Sequence, residues 1–170
     1  MPQTITKSLN DLDEGALQTA LMKCCAAKFW VEAMIAKRPF SSDQALVNFA
    51  SAAWWKLDRA DWLEAFSAHP KIGDVDSLRA KFGNTRGWAS GEQAGVAVAS
   101  EATLQRLAEL NRRYEERFGY IFIVCATGKT ADEMLAILES RLTNDPESEL
   151  KVAASEQLKI TLLRLQKLAD

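Results

Sequence analysis

Three polar side chains from distant stretches of the chain could together do chemistry on a small molecule. His69 is the single histidine among 170 residues, and the other two are Glu92 and Arg164. Histidine is the only side chain whose ordinary pKa lies near neutrality, so it can both take up and release a proton. A carboxylate can orient an imidazole, and a guanidinium binds planar oxygen groups through its rigid fork of donors. These residue types favour proton transfer on a polar ligand.

The surroundings of each residue favour this interpretation without proving that the three converge. Pro70 disfavours a helical conformation at His69, and Gly73 marks a turn just beyond. The imidazole is therefore predicted at a helix-to-loop junction, where side chains can face a ligand. Each residue also has a structural explanation: a surface or hydrogen-bonded histidine, a carboxylate that complements a helix dipole, and an arginine that extends from an apolar helix face.

Helices must position these groups, because helical periodicity dominates the chain. Apolar residues at three- and four-residue spacing predict two helices between residues 8 and 36, with a break near residues 22–25. The Arg38-Pro39-Phe40 turn ends this block, since the residue before proline disfavours helix. Residues suited to helix caps predict where the later helices begin. They are Ser41 or Ser42, Asp58, Ser90, Ser100, Thr130 and the Asn144-Asp145-Pro146 turn.

Two stretches lack helical periodicity. Residues 69–89 contain scattered glycines and basic side chains, which predicts a functional loop of about twenty residues. Phe82 and Trp88 argue against disorder there, because they need a place to pack. Residues 120–126 are β-branched and aromatic, yet without a second strand to pair with they predict buried extended chain. With no repeat or linker, the expected fold is all-α: a single-domain helical bundle over residues 1–170 with one long functional loop.

Composition excludes several classes of function. Apolar residues make up 48% of the chain and charged residues 26%, which is typical of a globular protein. The net charge of −2 provides no attraction to nucleic acid or to an anionic membrane. No apolar run reaches the roughly 20 residues of a membrane span, and the N-terminus does not resemble a secretory signal, so a cytoplasmic protein is expected. Cys24, Cys25 and Cys125 have neither disulfide nor zinc-site spacing, so no metal is predicted.

Several short motifs occur in a fixed order along nearly the whole chain. They are Trp30, Arg38-Pro39-Phe40, Trp62-Leu63-x-Ala65-Phe66, His69-Pro70-Lys71-Ile72-Gly73, Glu92-Gln93, Phe118-Gly119-Tyr120-Ile121-Phe122-Ile123-Val124, Glu139-x-Arg141-Leu142-x-Asn144 and Lys159-Ile160-x-x-x-Arg164-Leu165. Each motif is weak alone. Together and in this order they resemble the decarboxylase family of uric acid degradation, whose members convert 2-oxo-4-hydroxy-4-carboxy-5-ureidoimidazoline (OHCU) to S-allantoin.

The resemblance implies an all-α fold, a homodimer and catalysis without a cofactor. It assigns the catalytic imidazole to His69, its acidic partner to Glu92 and the substrate-binding guanidinium to Arg164. The other pocket residues that it implies are Pro70, Gln93 and the backbone of Phe122, Ile123 and Val124. One departure concerns a serine that the family often has where this chain has Ala89. The neighbouring Ser90 is then the candidate to supply that hydroxyl.

The implied reaction is decarboxylation of OHCU, in which a ring C=N bond of the substrate accepts the electron pair left by CO2. Cofactors usually supply such an electron sink, so none is expected here. Two other functions remain compatible with the same residues. One is a helical module that binds a protein partner through its tryptophans and the 69–89 loop, which predicts an exposed aromatic patch and tolerance of substitution at His69. The other is a hydrolase or isomerase acting on a related ureide, which predicts no release of CO2.

Overall fold

The computed structural model describes residues 4–71, 74–82 and 100–169. Within those ranges the chain forms nine α-helices and no β-strand, so the all-α prediction is confirmed. The helices are α1 (Ile5–Asn10), α2 (Glu14–Cys24), α3 (Lys28–Lys37), α4 (Asp43–Trp55), α5 (Arg59–Ser67), α6 (Val75–Phe82), α7 (Glu101–Phe118), α8 (Ala131–Arg141) and α9 (Pro146–Lys167).

The helices group into two compact units. The first unit comprises residues 1–69 and 154–170, and the second comprises residues 70–153. Helix α9 therefore contributes its first residues to the second unit and the remainder to the first. The expectation of one domain over residues 1–170 stays a prediction.

The predicted helix caps account for most of the observed helix starts. A side-chain oxygen of each capping residue accepts a hydrogen bond from a free backbone N–H of the first turn, which stabilises the end of the helix. The confirmed caps are Ser42 for α4, Asp58 for α5, Ser100 for α7, Thr130 for α8 and Asp145 for α9. The predicted cap at Ser90 lies outside the described residues.

Two buried indole groups join three helices of the first unit. Trp30 of α3 donates its Nε1–H to the Ala50 carbonyl of α4 at 3.0 Å, and Trp54 of α4 donates to the Ala154 carbonyl of α9 at 2.9 Å. Both tryptophans are almost fully buried. Their rings supply large apolar contact areas while their N–H groups remain hydrogen-bonded. These contacts fix the position of α9 beside α4 within this unit.

Residues 121–126 form neither helix nor strand, and buried polar side chains hold them in the second unit. The extended conformation expected for residues 120–126 stays a prediction. The Arg141 guanidinium donates to the Ile123 carbonyl at 2.6 Å and lies 4.7 Å from the centre of the Phe122 ring. Arg141 also donates from Nε to both carboxylate oxygens of Glu149, at 3.0 and 3.1 Å. The Tyr114 hydroxyl donates to the same carboxylate. Arg141, Glu149 and Tyr114 are buried, so the two charges compensate each other where water has little access.

Two predicted features of the first 89 residues were wrong in detail. The break between α2 and α3 was expected, but a further break between Asp11 and Asp13 separates α1 from α2. The expected loop over residues 69–89 contains α6, which spans residues 75–82. Asp74 accepts a hydrogen bond from the Ser77 N–H at 2.7 Å, so this residue begins a helix although it was interpreted as an interruption.

Candidate active site

His69 lies directly after α5, at the helix-to-loop junction that was predicted. Helix α5 begins with a capping box between Asp58 and Asp61, and its last turn ends at Ser67. The His69 backbone N–H donates to the Phe66 carbonyl at 3.2 Å, which holds the residue against the end of the helix. The side chain is half-buried, whereas the following Pro70 is exposed. The backbone of His69 is therefore held at the end of α5, and its imidazole is partly buried.

A glutamine of α9 holds the outer nitrogen of this imidazole. Nε2 of His69 lies 2.5 Å from Oε1 of Gln157, within hydrogen-bond distance. Gln157 is 1% exposed, so its amide has few competing water partners. Its Nε2 group lies 3.1 Å from Oγ1 of Thr161, one helical turn further along α9. The imidazole thus belongs to a chain of buried side-chain hydrogen bonds.

Arg164 brings a positive charge to the same part of the first unit. Its Nη1 group donates to the carbonyls of Lys23 and Cys24 at 3.3 and 3.4 Å. These carbonyls belong to the last turn of α2, where the negative end of the helix dipole favours a cation. The contacts are long and use one of the two terminal nitrogens. Donors of the guanidinium therefore remain for a ligand.

The surroundings of His69 favour its neutral form. Burial lowers the pKa of His69 below its ordinary value of 6.5, and the charge of Arg164 lowers the pKa further. The hydrogen bond to Gln157 opposes both effects. The net effect on the pKa is downward, because a buried cation beside a second cation is unfavourable. Near neutral pH the ring is then an unprotonated base.

Two adjacent cysteines line the α2 side of this site as inert thiols. Burial raises the pKa of Cys24 and of Cys25 from 9.0 to about 11, although the positive charge of Arg164 opposes the shift. Both residues are buried and free of disulfide bonds. A thiol, unlike a thiolate, is a poor nucleophile. The prediction that these cysteines act as small reduced apolar residues is supported.

The structure brings together two of the three residues that first suggested a site. His69 and Arg164 lie in the first unit, near enough for the arginine to shift the pKa of the imidazole. Glu92, Gln93 and Ser90 lie outside the described residues, so their predicted roles stay predictions. Phe122, Ile123 and Val124 belong to the second unit, where Arg141 contacts the Phe122 ring and the Ile123 carbonyl.

Sequence reasoning missed Gln157 and Thr161. The sequence contains a usable signal, because residues 157, 161 and 164 have the i, i+4, i+7 spacing of one helix face. Gln157 and Thr161 are each 1% exposed, so this face carries buried polar groups into the first unit. A polar stripe inside an otherwise apolar helix face is the pattern that would have identified them.

Other kinds of site are not apparent in the described part of the chain. Among residues 4–71, 74–82 and 100–169, no three histidine, cysteine or acidic side chains cluster as metal ligands. In the same ranges, no helix is long and apolar enough to cross a membrane. The arrangement that remains is an imidazole held by an amide beside a guanidinium. It can move a proton and bind oxygen atoms of a polar ligand.

The helices and this site define an all-α protein with a histidine-centred site of the kind that performs acid–base chemistry. The chain belongs to the OHCU decarboxylase family, whose model matches residues 10–166. This match confirms the resemblance found in the sequence motifs.

Individual relatives agree with this assignment. The chain is 41% identical over 145 residues to the uric acid degradation bifunctional protein of Arabidopsis thaliana, covering 85% of this chain and 45% of that protein. It is 37% identical over 99 residues to the 2-oxo-4-hydroxy-4-carboxy-5-ureidoimidazoline decarboxylase of Amia calva, covering 58% of this chain and 55% of that one. The chain thus spans about half the length of these curated relatives.

A solved structure matches the fold as well as the sequence. The crystal structure of an OHCU decarboxylase in the presence of (S)-allantoin superposes with a TM-score of 0.67 at 39% sequence identity. The match covers 86% of this chain and 94% of the other. The helical arrangement described above is therefore similar to that of an OHCU decarboxylase.

Proposed function

We propose that this chain catalyses the decarboxylation of OHCU to S-allantoin without a cofactor. The observation that carries the proposal is the single imidazole of His69, held by Gln157 and influenced by Arg164, in a member of the OHCU decarboxylase family. The relatives named above support the substrate, because one of them is an OHCU decarboxylase that was crystallised with (S)-allantoin.

The substrate supplies the electron sink for this reaction. The bond between the ring carbon and the carboxylate breaks, CO2 leaves, and the electron pair moves onto the adjacent ring C=N bond. The resulting enol gives up its hydroxyl proton to form the ring carbonyl, and a proton is added to the neighbouring ring carbon, which was part of the C=N bond. The protein must orient the ring, manage two protons and deliver the last one to a single face of the intermediate. Such positioning of proton donors is typically worth about 10²–10⁴-fold in rate.

The site residues have distinct roles in this scheme. His69 is the general acid–base, since its lowered pKa leaves an unprotonated ring to accept the first proton near neutral pH. Arg164 binds carbonyl oxygens of the ring or of the ureido arm through donors that α2 does not use. Glu92 stabilises the protonated imidazole. The family resemblance further assigns substrate contacts to Pro70, Gln93 and the backbone of Phe122, Ile123 and Val124, with Ser90 as the candidate hydroxyl, and these assignments stay predictions.

The test is the handedness of the allantoin that the protein forms. OHCU is generated freshly, divided between tubes with and without the protein, and followed by circular dichroism. We expect a signal of S-allantoin only with protein, together with faster release of CO2. Racemic product in both tubes would overturn the proposal. Loss of OHCU without CO2 release would instead identify a hydrolase or isomerase.

We also propose a homodimer in the cytoplasm. The family resemblance supports the dimer, and three free buried cysteines suit a reducing compartment. Light scattering of the purified chain measures the first property: the expected mass is twice 18.9 kDa. A mass equal to that of one chain at micromolar concentration would contradict the dimer.

A further inference from the structure

Thr161 orients the buried amide of Gln157 toward His69. Thr161 donates its hydroxyl proton to the backbone carbonyl of Gln157 at 3.0 Å. The oxygen of Thr161 is therefore available only as an acceptor, and the amide NH2 of Gln157 donates to it at 3.1 Å. The amide oxygen then faces His69. While the hydroxyl proton of Thr161 stays on the Gln157 carbonyl, the opposite orientation would place two acceptor oxygens together inside a buried site, which is unfavourable.

The orientation of the amide determines which imidazole nitrogen carries the proton. A carbonyl oxygen can only accept a hydrogen bond, so Nε2 of His69 must be the donor. In the neutral ring the other nitrogen, Nδ1, is then the basic one. Among residues 4–71, 74–82 and 100–169, no protein hydrogen bond to Nδ1 is present. Within these residues the lone pair of Nδ1 has no partner, which suits this nitrogen to accept a proton of the substrate.

We propose that Gln157, oriented by Thr161, is a positioning residue that keeps the proton on Nε2 of His69 and presents Nδ1 to the substrate as the base. This inference rests on the proposed function, because it specifies how the catalytic imidazole of that reaction is prepared. Gln157 does not contact the reacting atoms. It acts through His69.

The choice of an amide instead of a carboxylate fits the charges around the imidazole. A carboxylate at Nε2 would stabilise the imidazolium and raise the pKa of His69. The neutral amide selects the tautomer with a smaller effect on the pKa, while burial and the charge of Arg164 keep the ring unprotonated. Among the described residues, Cys24 and Cys25 beside this site stay protonated, and the charge of Glu64 acts on Cys25. Glu92, the predicted acidic partner of His69, lies outside the described residues. The imidazole of His69 is therefore an unprotonated base near neutral pH.

The single histidine makes this inference directly measurable. In protein labelled with [15N]histidine, long-range 1H–15N spectra contain one imidazole, and the two nitrogen shifts identify the tautomer. We expect the wild-type chain to show the Nε2–H tautomer above the pKa of His69, without any substrate present. A proton found mainly on Nδ1 would overturn the proposal, and this result depends on no variant.

Three variants and one control test the role of the amide. Gln157→Leu removes the acceptor, so both tautomers should appear and the pKa of His69 should fall further. Gln157→Glu keeps an acceptor and adds a charge, so the Nε2–H tautomer should persist while the pKa rises. Thr161→Val frees the amide to rotate, so the tautomers should mix. Gln166→Leu, an exposed substitution on the same helix, should match the wild type.

Kinetics separate positioning from a purely structural role. For Gln157→Leu we expect kcat to fall by up to about 10²–10⁴-fold, the range for a positioned acid–base, with KM changed much less. Gln157→Glu should recover turnover above its raised pKa, so the acid limb of its pH profile moves to higher pH. A folded Gln157→Leu protein with one tautomer and wild-type kcat would refute the role of Gln157. Racemic product from a wild-type chain with the Nε2–H tautomer would refute the proposed reaction alone.

Discussion

Burial and the neighbouring cation of Arg164 both lower the pKa of His69. Both disfavour the imidazolium, so the pKa of the ring in the folded chain lies below its ordinary value of 6.5. The pH dependence of kcat/KM reports the ionisation of the free enzyme. A base with a lowered pKa should therefore keep the reaction active at pH values where an ordinary histidine is already protonated.

Replacement of His69 tests this assignment at the level of one residue. We expect His69→Asn to lose about 10²–10⁴-fold in kcat, because it removes the group that the proposed mechanism uses for proton transfer. The acid limb of the wild-type profile, measured as S-allantoin formation against pH, should lie below pH 6.5 and vanish in the variant. Far-UV circular dichroism checks that the fold is retained. Turnover near that of the wild type would remove His69 from the mechanism.

The geometry of Arg164 predicts that lysine cannot replace it. Its Nη1 group bonds to two carbonyls at the end of α2, and the rest of its planar fork is left for the substrate. Lysine keeps the charge but offers a single ammonium group that cannot serve both partners in this way. Arg164→Lys should raise KM more than it lowers kcat. Unchanged steady-state constants would show that Arg164 only stabilises the end of α2.

At the level of the helix, capping chemistry was the most reliable guide in the sequence. Oxygen-bearing side chains before apolar periodic stretches located the starts of five helices, because a cap satisfies local backbone N–H groups and needs no distant partner. The prediction failed at Asp74, although the capping chemistry is the same. There, one polar residue among glycines was read as part of a loop, although its carboxylate caps α6.

Contacts between distant helices could not be read in the same way. His69 follows α5 and Gln157 lies 88 positions later on α9, so their pairing depends on how these helices pack. The packing is set by interior contacts such as that between Trp54 and Ala154. The sequence reveals a polar stripe at residues 157, 161 and 164, but it does not show which group that stripe faces. The family motifs identified His69 and Arg164, whereas the contact between Gln157 and His69 is visible only in the structure.

Among the described residues of the second unit, the ion pair that anchors residues 120–126 should be highly sensitive to substitution. Arg141 is 5% exposed and Glu149 is fully buried, so Arg141→Met leaves a buried carboxylate without its partner. We expect a loss of about 3–5 kcal/mol in the free energy of unfolding, measured by urea denaturation. The matched control is Arg106→Met, which removes an exposed pair with Glu109 and should cost about 0–1 kcal/mol.

A double substitution distinguishes charge burial from packing in this result. If the unpaired carboxylate causes the loss, Arg141→Met combined with Glu149→Leu should recover part of it, because an apolar pair avoids the desolvation penalty. A double variant as unstable as Arg141→Met would show that the contact of Arg141 with Phe122 and the Ile123 carbonyl matters more than its charge.

At the scale of the whole molecule, the described residues of the site and the thiols of Cys24 and Cys25 all lie in the first unit. His69, Gln157, Thr161 and Arg164 all belong to residues 1–69 and 154–170. The electrostatic conditions that prepare the imidazole therefore also determine how the stability of this unit depends on pH. Burial lowers the pKa of His69 and raises the pKa of the two cysteines. Each shift favours the uncharged form of its group.

The two thiols predict a loss of stability at alkaline pH. In the folded chain the pKa of Cys24 and of Cys25 is about 11, against 9.0 for an ordinary cysteine. Between these values the unfolded chain releases protons that the folded chain retains. The free energy of unfolding must then decrease as pH rises, by up to about 1.4 kcal/mol per pH unit for each thiol. This contribution is fully present below pH 9 and disappears as pH passes through 11.

Urea unfolding under reducing conditions at several pH values from 7 to 10.5 measures this slope. Replacement of both residues, Cys24→Ala and Cys25→Ala, should lower stability at pH 7 because it leaves cavities, but it should also flatten the alkaline decline. Cys24→Ala alone should remove about half of the difference in slope, since the two thiols contribute in the same direction. Because the comparison uses slopes, the cavity term cancels. Equal slopes in the wild type and the double variant would mean that the fold holds neither thiol protonated. The burial that shifts the pKa of Cys24, Cys25 and the nearby His69 would then be contradicted.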